Sequence, residues 1–423
     1  MTGRTNVDRE LSSYLKGRST SRAPAGLLDA ILGEVDQTRQ RPAWRLIGRS
    51  LAERRTVIWM SPASARLALL FITLTIALAI SLIVIAGSQR RLPPPFGPAR
   101  PGLLVVDVSG HIGLMKADGT GLTQLTSAPE VDSYPTWSPD GTRFAFVASK
   151  DLALAVVVMD ADGRHRITVA DQLRELDGSV GTRVGLSWSP DSQRIVFAAA
   201  VGDTTQPQLY TSDANRFGAT RILAPDQFGT APSWSPDGTW IAFKSVYPCC
   251  GNPPSALWLI HPDGSAAHLI SNETGDLTGT VWAPDSKRLA FLANGTDHSN
   301  DIYVINADRT GQRDVTNTPQ DEFWPSWSPD GTKLAFSWFV AANGTFVIDA
   351  DGSNRVEVPT NGYNVSTPVW SPDGSTILGY ADGPAFSGGA TDGLMILDPT
   401  GHDRPMFIAE PDFGSVTWQR LAP

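Results

Sequence analysis

The chain of 423 residues contains only two cysteines, and these are neighbours, Cys249 and Cys250. Two adjacent cysteines cannot form the disulfide framework of a small secreted domain. They form either a vicinal disulfide outside the cytoplasm or two free thiols, and the sequence leaves both alternatives open.

Catalytic and ligand-binding signatures are also missing. There is no Gly-x-Ser-x-Gly elbow and no phosphate-binding glycine loop, and no two of the six histidines stand at ligand spacing on one element. The Asp-x-Asp-Gly sequences at 160–163 and 349–352 lack the remaining ligands of an EF-hand and fit hairpin turns better. We therefore expect no metal, no cofactor and no catalytic residue, and a non-enzymatic role is favoured over an enzymatic one.

Charge is distributed unevenly along the chain, which carries a formal net charge of −9. Residues 1–66 are basic, with 12 Lys and Arg against 6 Asp and Glu, whereas residues 102–423 carry a net charge of −18. Such an acidic region is unsuited to the phosphate backbone of nucleic acid, so no nucleic-acid partner is expected. It is compatible with cationic partners or with a merely solvated surface.

One hydrophobic run interrupts this pattern. Residues 67–87 are 21 consecutive residues without a charge, which is enough to span a bilayer as a helix. The positive-inside rule favours a cytoplasmic N-terminus with residues 102–423 outside the cytoplasm. Five arginines precede the run and three follow it: Arg45, Arg49, Arg54, Arg55 and Arg66, then Arg90, Arg91 and Arg100. Residues 88–101 are proline-rich and predict a stiff linker.

The basic segment 1–66 predicts short helices, of which residues 24–37 form the stronger candidate. Pro24 stands at its start, and its apolar face consists of Leu27, Leu28, Ile31, Leu32 and Val35. This face either packs on Leu11 and Leu15 or docks a cytoplasmic protein. The layout resembles that of bacterial anti-sigma proteins, although no histidine or cysteine of their zinc signature precedes residue 111.

A tryptophan-turn repeat organises the chain after residue 100. Trp-Ser-Pro-Asp-Gly or a close variant begins at six positions: Trp137, Trp188, Trp234, Trp282, Trp327 and Trp370. Ser-Pro-Asp-Gly suits a type I turn, with Ser first, Pro presetting the second φ and Gly last. An apolar strand, a second strand, a Gly-containing turn and a short third strand follow each turn. With the tryptophan strand this makes four strands, the size of one propeller blade.

The ends of the repeat region predict how it closes. Residues 103–108, 112–116 and 122–126 look like a unit that lacks its tryptophan strand, and residues 415–421, with Trp418, look like that strand alone. Pairing them closes the ring and removes an open sheet edge. We therefore expect an all-β fold, a seven-bladed β-propeller over 102–423 with six blades as the alternative, preceded by one transmembrane helix.

Candidate binding residues lie in the segments that lead into the tryptophan strands. Acidic and aromatic side chains recur there and, by the up-and-down course of the strands, are expected to ring one mouth of the central channel. The alternative is that they pack between blades and fix the loops. The candidates are Asp132, Tyr134, Phe228, Glu322, Phe323, Trp324, Tyr363 and Phe413.

The repeat resembles the TolB-type, WD-like propeller repeat. The resemblance rests on Trp-Ser-Pro-Asp-Gly followed by Leu-Ala-Phe, as at 334–336, and by Ile-Tyr-Val-Ile at 302–305. It implies a propeller fold and a tendency to bind proteins or peptides at the channel mouth. The same repeat also caps peptidases of the prolyl oligopeptidase type and forms some polysaccharide lyases, so it implies architecture more than activity.

Three functional hypotheses follow. The first is a single-pass membrane protein of the cell envelope whose extracytoplasmic propeller binds a protein, peptide or glycan and is coupled to a cytoplasmic partner at residues 24–37. The second is a propeller-type lyase or hydrolase that acts on polysaccharide. The third is a transmembrane sigma-factor regulator.

Overall fold

A computed structural model describes the second of two compact units, which spans residues 90–423. Its described residues are 97–151, 153–174, 185–201, 206–224, 227–245, 256–272, 279–295, 299–338, 344–382, 393–409 and 413–421. The predicted cytoplasmic segment, the predicted membrane span and Cys249–Cys250 lie outside these ranges. Within them there is no α-helix, and hence none with the length and apolar character of a membrane span.

The described residues form 28 β-strands. These are β1 (Arg100–Val108), β2 (His111–Met115), β3 (Thr123–Gln124), β4 (Val131–Trp137), β5 (Arg143–Lys150), β6 (Ala153–Asp160), β7 (Ile167–Arg174), β8 (Leu186–Trp188), β9 (Arg194–Val201), β10 (Gln208–Asp213), β11 (Ala219–Arg221), β12 (Gly229–Trp234), β13 (Ile241–Ser245), β14 (Ala256–Ile260), β15 (His268–Ser271), β16 (Val281–Trp282), β17 (Arg288–Asn294), β18 (Asn300–Asn306), β19 (Arg313–Asp314), β20 (Glu322–Trp327), β21 (Lys333–Trp338), β22 (Gly344–Asp349), β23 (Val356–Val358), β24 (Asn364–Trp370), β25 (Ile377–Asp382), β26 (Gly393–Leu397), β27 (Met406–Ala409) and β28 (Phe413–Leu421).

These strands form antiparallel meanders of four, as the repeat predicts. Meander 1 has the order β28-β1-β2-β3, and meanders 4 to 7 are β12–β15, β16–β19, β20–β23 and β24–β27. Meanders 2 (β4–β7) and 3 (β8–β11) share one eight-stranded sheet, because Leu173 and Arg174 at the end of β7 pair with Val201 and Ala200 of β9. Four-stranded units therefore account for all described strands.

The first meander joins the two ends of the repeat region. β28 pairs antiparallel with β1, with Leu104 opposite Trp418, Val105 opposite Thr417 and Val106 opposite Val416. The pairing inferred from the incomplete terminal repeats is therefore observed. It gives β1 a hydrogen-bonded neighbour on each side, since β2 pairs with its other edge.

Apolar clusters lie between successive meanders rather than inside any one of them. Alternate residues of each strand face the preceding and the following sheet, as the two-residue period requires. One cluster, for example, joins Val105 and Ile112 of meander 1 to Trp137 and Phe144 of meander 2. The described residues contain seven such clusters, and the one with Leu378 joins meander 7 back to meander 1.

Four of the repeat tryptophans bond their meander to the preceding one. Four of the indole Nε1 groups donate to the carbonyl oxygen of the residue that precedes the tryptophan of the previous repeat. These bonds are Trp188 to Thr136 at 3.1 Å, Trp282 to Ser233 at 3.0 Å, Trp327 to Val281 at 3.2 Å and Trp370 to Ser326 at 3.1 Å. A buried indole N–H needs such an acceptor, so the bond fixes the register between sheets.

The Ser-Pro-Asp-Gly segment forms the predicted tight turn. The Ser138 hydroxyl donates to Asp140 Oδ1 at 2.6 Å and accepts from the backbone N–H of Arg143 at 3.0 Å, while Gly141 N–H closes the turn on the Ser138 carbonyl at 2.9 Å. Gly141 has a φ of +67°, which disfavours side chains.

The turns that follow the tryptophans share one side of the molecule, which we call the turn face. The first strands of the meanders begin on the opposite side, the loop face.

Replacing Gly141 by Ala is expected to destabilise the fold more than replacing Gly362 by Ala. Both glycines have positive φ, so both substitutions carry a backbone cost of about 1–2 kcal/mol. Only at Gly141 would the new Cβ overlap the carbonyl oxygen of Arg420 in the closing strand, because Gly362 has nothing within 4 Å. Urea unfolding of the full-length protein in detergent measures the difference. Equal losses for the two variants would contradict the proposed close packing at β28.

Candidate functional site

The turn-face end of the central channel is a cavity of about 330 Å³. Its wall is formed by repeat tryptophans, by the residues before them and by turn prolines. These include Trp137, Trp282, Trp327, Trp370 and Trp418, with Thr136, Val281, Ser326, Val369 and Thr417, and Pro284, Pro329 and Pro372. The first strands of several meanders therefore converge on one axis.

The chain enters the repeat region across this same end. Gly97 lines the cavity, and its carbonyl oxygen accepts a hydrogen bond from the Arg420 guanidinium. The N–H of Ala99 donates to the carbonyl oxygen of Pro372 at 2.7 Å. Burial lowers the pKa of Arg420 to about 10, which leaves the side chain cationic at neutral pH. Residues 97–99 thus lie at the turn-face opening.

Four of the first strands carry a bulge near their start. The residue three before the tryptophan has positive φ at Tyr134, Ala231, Trp324 and Thr367 (50–55°), and the pairing register shifts at each of these places. A proline follows and is buried at all four positions. The bulge inserts an unpaired residue and re-aims the side chains on either side of it.

The predicted site residues separate according to their position relative to this bulge. Asp132, Glu322 and Phe413 stand five residues before a tryptophan and are buried, with 0%, 0% and 4% of their surface exposed. Phe413 packs in the cluster between meanders 7 and 1. Tyr134 and Trp324 stand three before it and are half-buried.

The remaining predicted aromatics are also half-buried on the loop face. Phe323 and Trp324 lie side by side, with ring centroids 5.5 Å apart. Tyr363 stacks on Phe407 of β27 at 4.9 Å, and Phe228 precedes β12. The structure therefore brings Phe323 and Trp324 together at the start of β20, whereas Tyr363 packs on the outer strand of its own meander.

Glu322 belongs to a buried acidic pair. Its Oε1 accepts from the Thr318 hydroxyl at 2.5 Å and its Oε2 from the Thr316 hydroxyl at 3.0 Å. Asp301 of β18 accepts from the Thr318 N–H at 3.2 Å and hydrogen-bonds to Glu322. Burial raises the pKa of Glu322 to about 8 and that of Asp301 to about 6. Asp301 raises the pKa of Glu322 further, whereas the hydrogen bond with Glu322 lowers the pKa of Asp301.

Asp132 occupies the equivalent place in meander 2. Arg166 Nη2, which binds Glu130, lies 3.8 Å from its Oδ1, and the Thr126 side chain and Arg166 both act to lower the pKa of this carboxyl. Burial raises the pKa of Asp132, and it raises the pKa of nearby Asp107 to about 6. His111 Nδ1 is buried without a hydrogen-bond partner in the described part of the chain.

Four residues of this arrangement were not predicted as site residues: Asp107, Asp301, Thr316 and Thr318. A signal for them exists in the repeat, because His111-Ile112, Thr126 and Asp132 recur 190 residues later as Asp301-Ile302, Thr316 and Glu322. In both copies the isoleucine N–H donates to the threonine hydroxyl, at 2.9 and 3.0 Å. Glu322 lies in β20 and its neighbour Asp301 lies in β18, and only the fold brings these two strands together.

This arrangement is suited to binding rather than to exposed acid–base chemistry. The carboxyls of Asp132 and Glu322 are enclosed, and the aromatic residues two positions further along each strand are partly exposed. Among the described residues, no group of three histidine, cysteine, aspartate or glutamate side chains is arranged to hold a metal ion. Meanders packed face to face around a central channel define a β-propeller protein.

Comparison with known proteins identifies the family. The model of the TolB beta propeller domain matches residues 109–253 and 247–385, about two thirds of the chain. The chain belongs to the TolB β-propeller family, which confirms the resemblance inferred from the repeat.

Curated relatives are similar over shorter segments. The Tol-Pal system protein TolB of Sodalis glossinidius is 30% identical over 114 residues, covering 24% of this chain and 26% of that protein. The uncharacterized peptidase YuxL of Bacillus subtilis is 29% identical over 107 residues, covering 25% and 16%. The chain thus spans about a quarter or less of these two relatives.

Solved structures share the architecture. An oligogalacturonate lyase from Vibrio parahaemolyticus superposes with a TM-score of 0.54 at 15% identity, covering 74% of this chain and 94% of that one. A puromycin-hydrolyzing peptidase of Mycobacterium tuberculosis gives 0.56 at 14% identity, covering 76% and 57%. At such identities the likeness shows the fold alone.

Replacing Glu322 by Gln is expected to flatten the dependence of stability on pH. A carboxyl whose pKa is raised by folding destabilises the folded state as it ionises, so stability falls as pH rises from about 4.5 toward about 8. Glutamine keeps the shape and removes the charge. The urea midpoint at pH 5 and pH 8.5 measures the effect. Glu357→Gln, at an exposed position in β23, is the control and should keep the wild-type slope.

Proposed function

We propose that this protein is a single-pass membrane protein whose propeller lies outside the cytoplasm and binds a protein, peptide or glycan on its loop face. The observation that carries the proposal is the difference between the two ends of the channel. The turn-face end holds Gly97 and Arg420, whereas the loop-face end presents the partly exposed pair Phe323 and Trp324.

Within this proposal the propeller has seven blades. Each meander is one blade, and the β1–β28 pairing supplies the fourth strand of the blade that joins both ends. Seven apolar clusters, each between two successive meanders, support a closed circle of the same number. Closure protects the sheet edges that an open array would expose.

The proposed membrane anchor is the uncharged run 67–87, followed by the proline-rich residues 88–101. Residues 24–37 would remain inside and dock a cytoplasmic protein.

Alanine substitution of Phe323 and Trp324 together is expected to abolish capture of the loop-face partner. The full-length protein in detergent serves as bait for an envelope extract, and the captured species are identified by mass spectrometry. Truncating two central aromatic anchors commonly removes several kcal/mol of binding energy, or at least a hundredfold in affinity. Thermal unfolding first checks that the double variant folds.

Phe217→Ala is the matched control for this experiment. Phe217 is 63% exposed in the turn between β10 and β11, on the turn face, so its removal should leave capture unchanged. Equal capture by the wild type and the double variant would show that the partner binds elsewhere. No capture by either would leave the lyase alternative as the stronger hypothesis.

Cysteine labelling is expected to report the proposed topology. In a Cys249→Ser, Cys250→Ser background, Phe217→Cys should react with a membrane-impermeant maleimide in intact spheroplasts, because the position is exposed. Ser12→Cys, in the basic segment, should react only after permeabilisation. The reverse pattern, or labelling of both positions in intact spheroplasts, would exclude the proposed orientation.

A further inference from the structure

The turn-face cavity has an apolar wall that the loop-face binding function does not use. Its volume is about 330 Å³, and its partly exposed apolar lining comes from meanders 5, 6 and 7: Val281, Pro284, Pro329 and Val369. The tryptophans around them are 6–8% exposed, so each contributes only a small part of its surface. A cavity of this size with a mostly apolar wall is the usual form of a ligand site.

Charged groups are nearly missing from this wall. Among the described residues that line the cavity, Arg420 is the only charged one, and its guanidinium donates to the carbonyl oxygen of Gly97. No acidic side chain is among them, although residues 102–423 carry a net charge of −18. The cavity therefore suits an uncharged, apolar occupant.

Two buried donors at this end of the channel lack an acceptor. The Nε1 groups of Trp137 and Trp418, whose indoles line the cavity, have no hydrogen-bond partner within the described ranges. A buried N–H without an acceptor is costly. This favours an occupant that supplies carbonyl oxygens and adds no donors of its own.

The chain itself carries a segment of this kind next to the cavity. Residues 92–96 are Leu-Pro-Pro-Pro-Phe, uncharged and apolar, and they belong to the unit that spans 90–423. They are joined directly to Gly97, which lines the cavity and is held there by Arg420. Two residues further on, the Ala99 N–H donates to the Pro372 carbonyl at 2.7 Å. Because consecutive Cα atoms are about 3.8 Å apart, the segment starts at the cavity wall.

We propose that residues 92–96, which we call the docking segment, occupy the turn-face cavity, with the Phe96 ring inside and the prolines packed on its apolar rim. Prolines prearrange an extended polyproline II conformation, so little conformational entropy is lost on docking. They have no N–H, and their carbonyl oxygens are free to accept. Proline-rich segments dock on aromatic-lined grooves in this way.

The direct connection at Gly97 favours this occupant over a separate chain. A segment joined to its own site by a short link has an effective concentration in the millimolar range, which a free partner must exceed. The inference rests on the cavity and on the chain that enters it. It therefore stands or falls separately from binding on the loop face.

Thiol reactivity in the full-length protein in detergent tests whether the docking segment fills the cavity. In a Cys249→Ser, Cys250→Ser background, Val281→Cys places a thiol on the cavity wall. Its rate of reaction with N-ethylmaleimide is compared between the natural segment and one that carries serine at positions 94, 95 and 96. The serine segment should raise the rate at least tenfold, because it no longer covers the wall.

Controls separate occupancy of the cavity from a general change in the protein. Phe217→Cys, exposed on the turn face outside the cavity, should react at one rate with either segment. Val369→Cys reports from meander 7 and replaces Val281→Cys if that variant does not fold in a thermal unfolding check. Phe96→Leu, which stays apolar, should keep most of the protection. A cavity thiol that reacts equally with both segments, whether fast or slow, would refute the proposal.

A free peptide distinguishes the chain's own segment from an external partner. Leu-Pro-Pro-Pro-Phe-Gly amide at about 1 mM, near the effective concentration of a linked segment, should slow labelling of Val281→Cys beside the serine segment. It should leave the rate beside the natural segment unchanged, because the cavity is already filled. Protection by the peptide in both cases would show that the cavity takes a separate proline-rich chain, which overturns the proposal.

Discussion

The pairing of β28 with β1 is the constraint on which the rest of the structure depends. Each meander buries its apolar side chains only against its neighbours, so an unclosed row would leave the outer faces of its terminal sheets in water. Joining residues 413–421 to 100–108 completes meander 1 and covers Leu104 and Trp418 on one side and Val105 on the other. The same closure brings the first strands together around one axis and so creates the channel. A site at the channel mouth exists only because the ends of the repeat region meet.

The repeat tryptophan and its turn fix the positions of neighbouring meanders in the closed ring. Four of the indoles donate to the backbone of the preceding first strand, while the serine and aspartate of most turns satisfy the polar groups at the strand end. These bonds are local or join adjacent repeats, so similar residues make similar bonds in most copies. The consequence is that the turn face is nearly uniform, and residues 97–99 and Arg420 add the main irregularity there. Variation is left to the loop face, where binding is proposed.

Much of the fold was predictable from the sequence because its signals are local and repeated. The turn chemistry, the four-strand period and the incomplete terminal repeats predicted the meanders and the pairing that joins them. The candidate site was predicted less well. Phe323 and Trp324 do lie together and partly exposed, but Asp132, Glu322 and Phe413 point into the protein. In β4 and β20 the bulge before the proline re-aims the side chains on either side of it, so the acid is buried while the aromatic is partly exposed.

The sequence by itself determined the repeating unit, its turns and the composition of the segments that enter each tryptophan strand, because these depend on interactions within some fifty residues. Only the tertiary structure decided which of those side chains meet. Asp301 reaches Glu322 from another strand, and Leu104 meets Trp418 from the opposite end of the repeat region. Burial and raised pKa values are properties of that assembly. They arise when sheets close around an axis, and no stretch of the chain contains them alone.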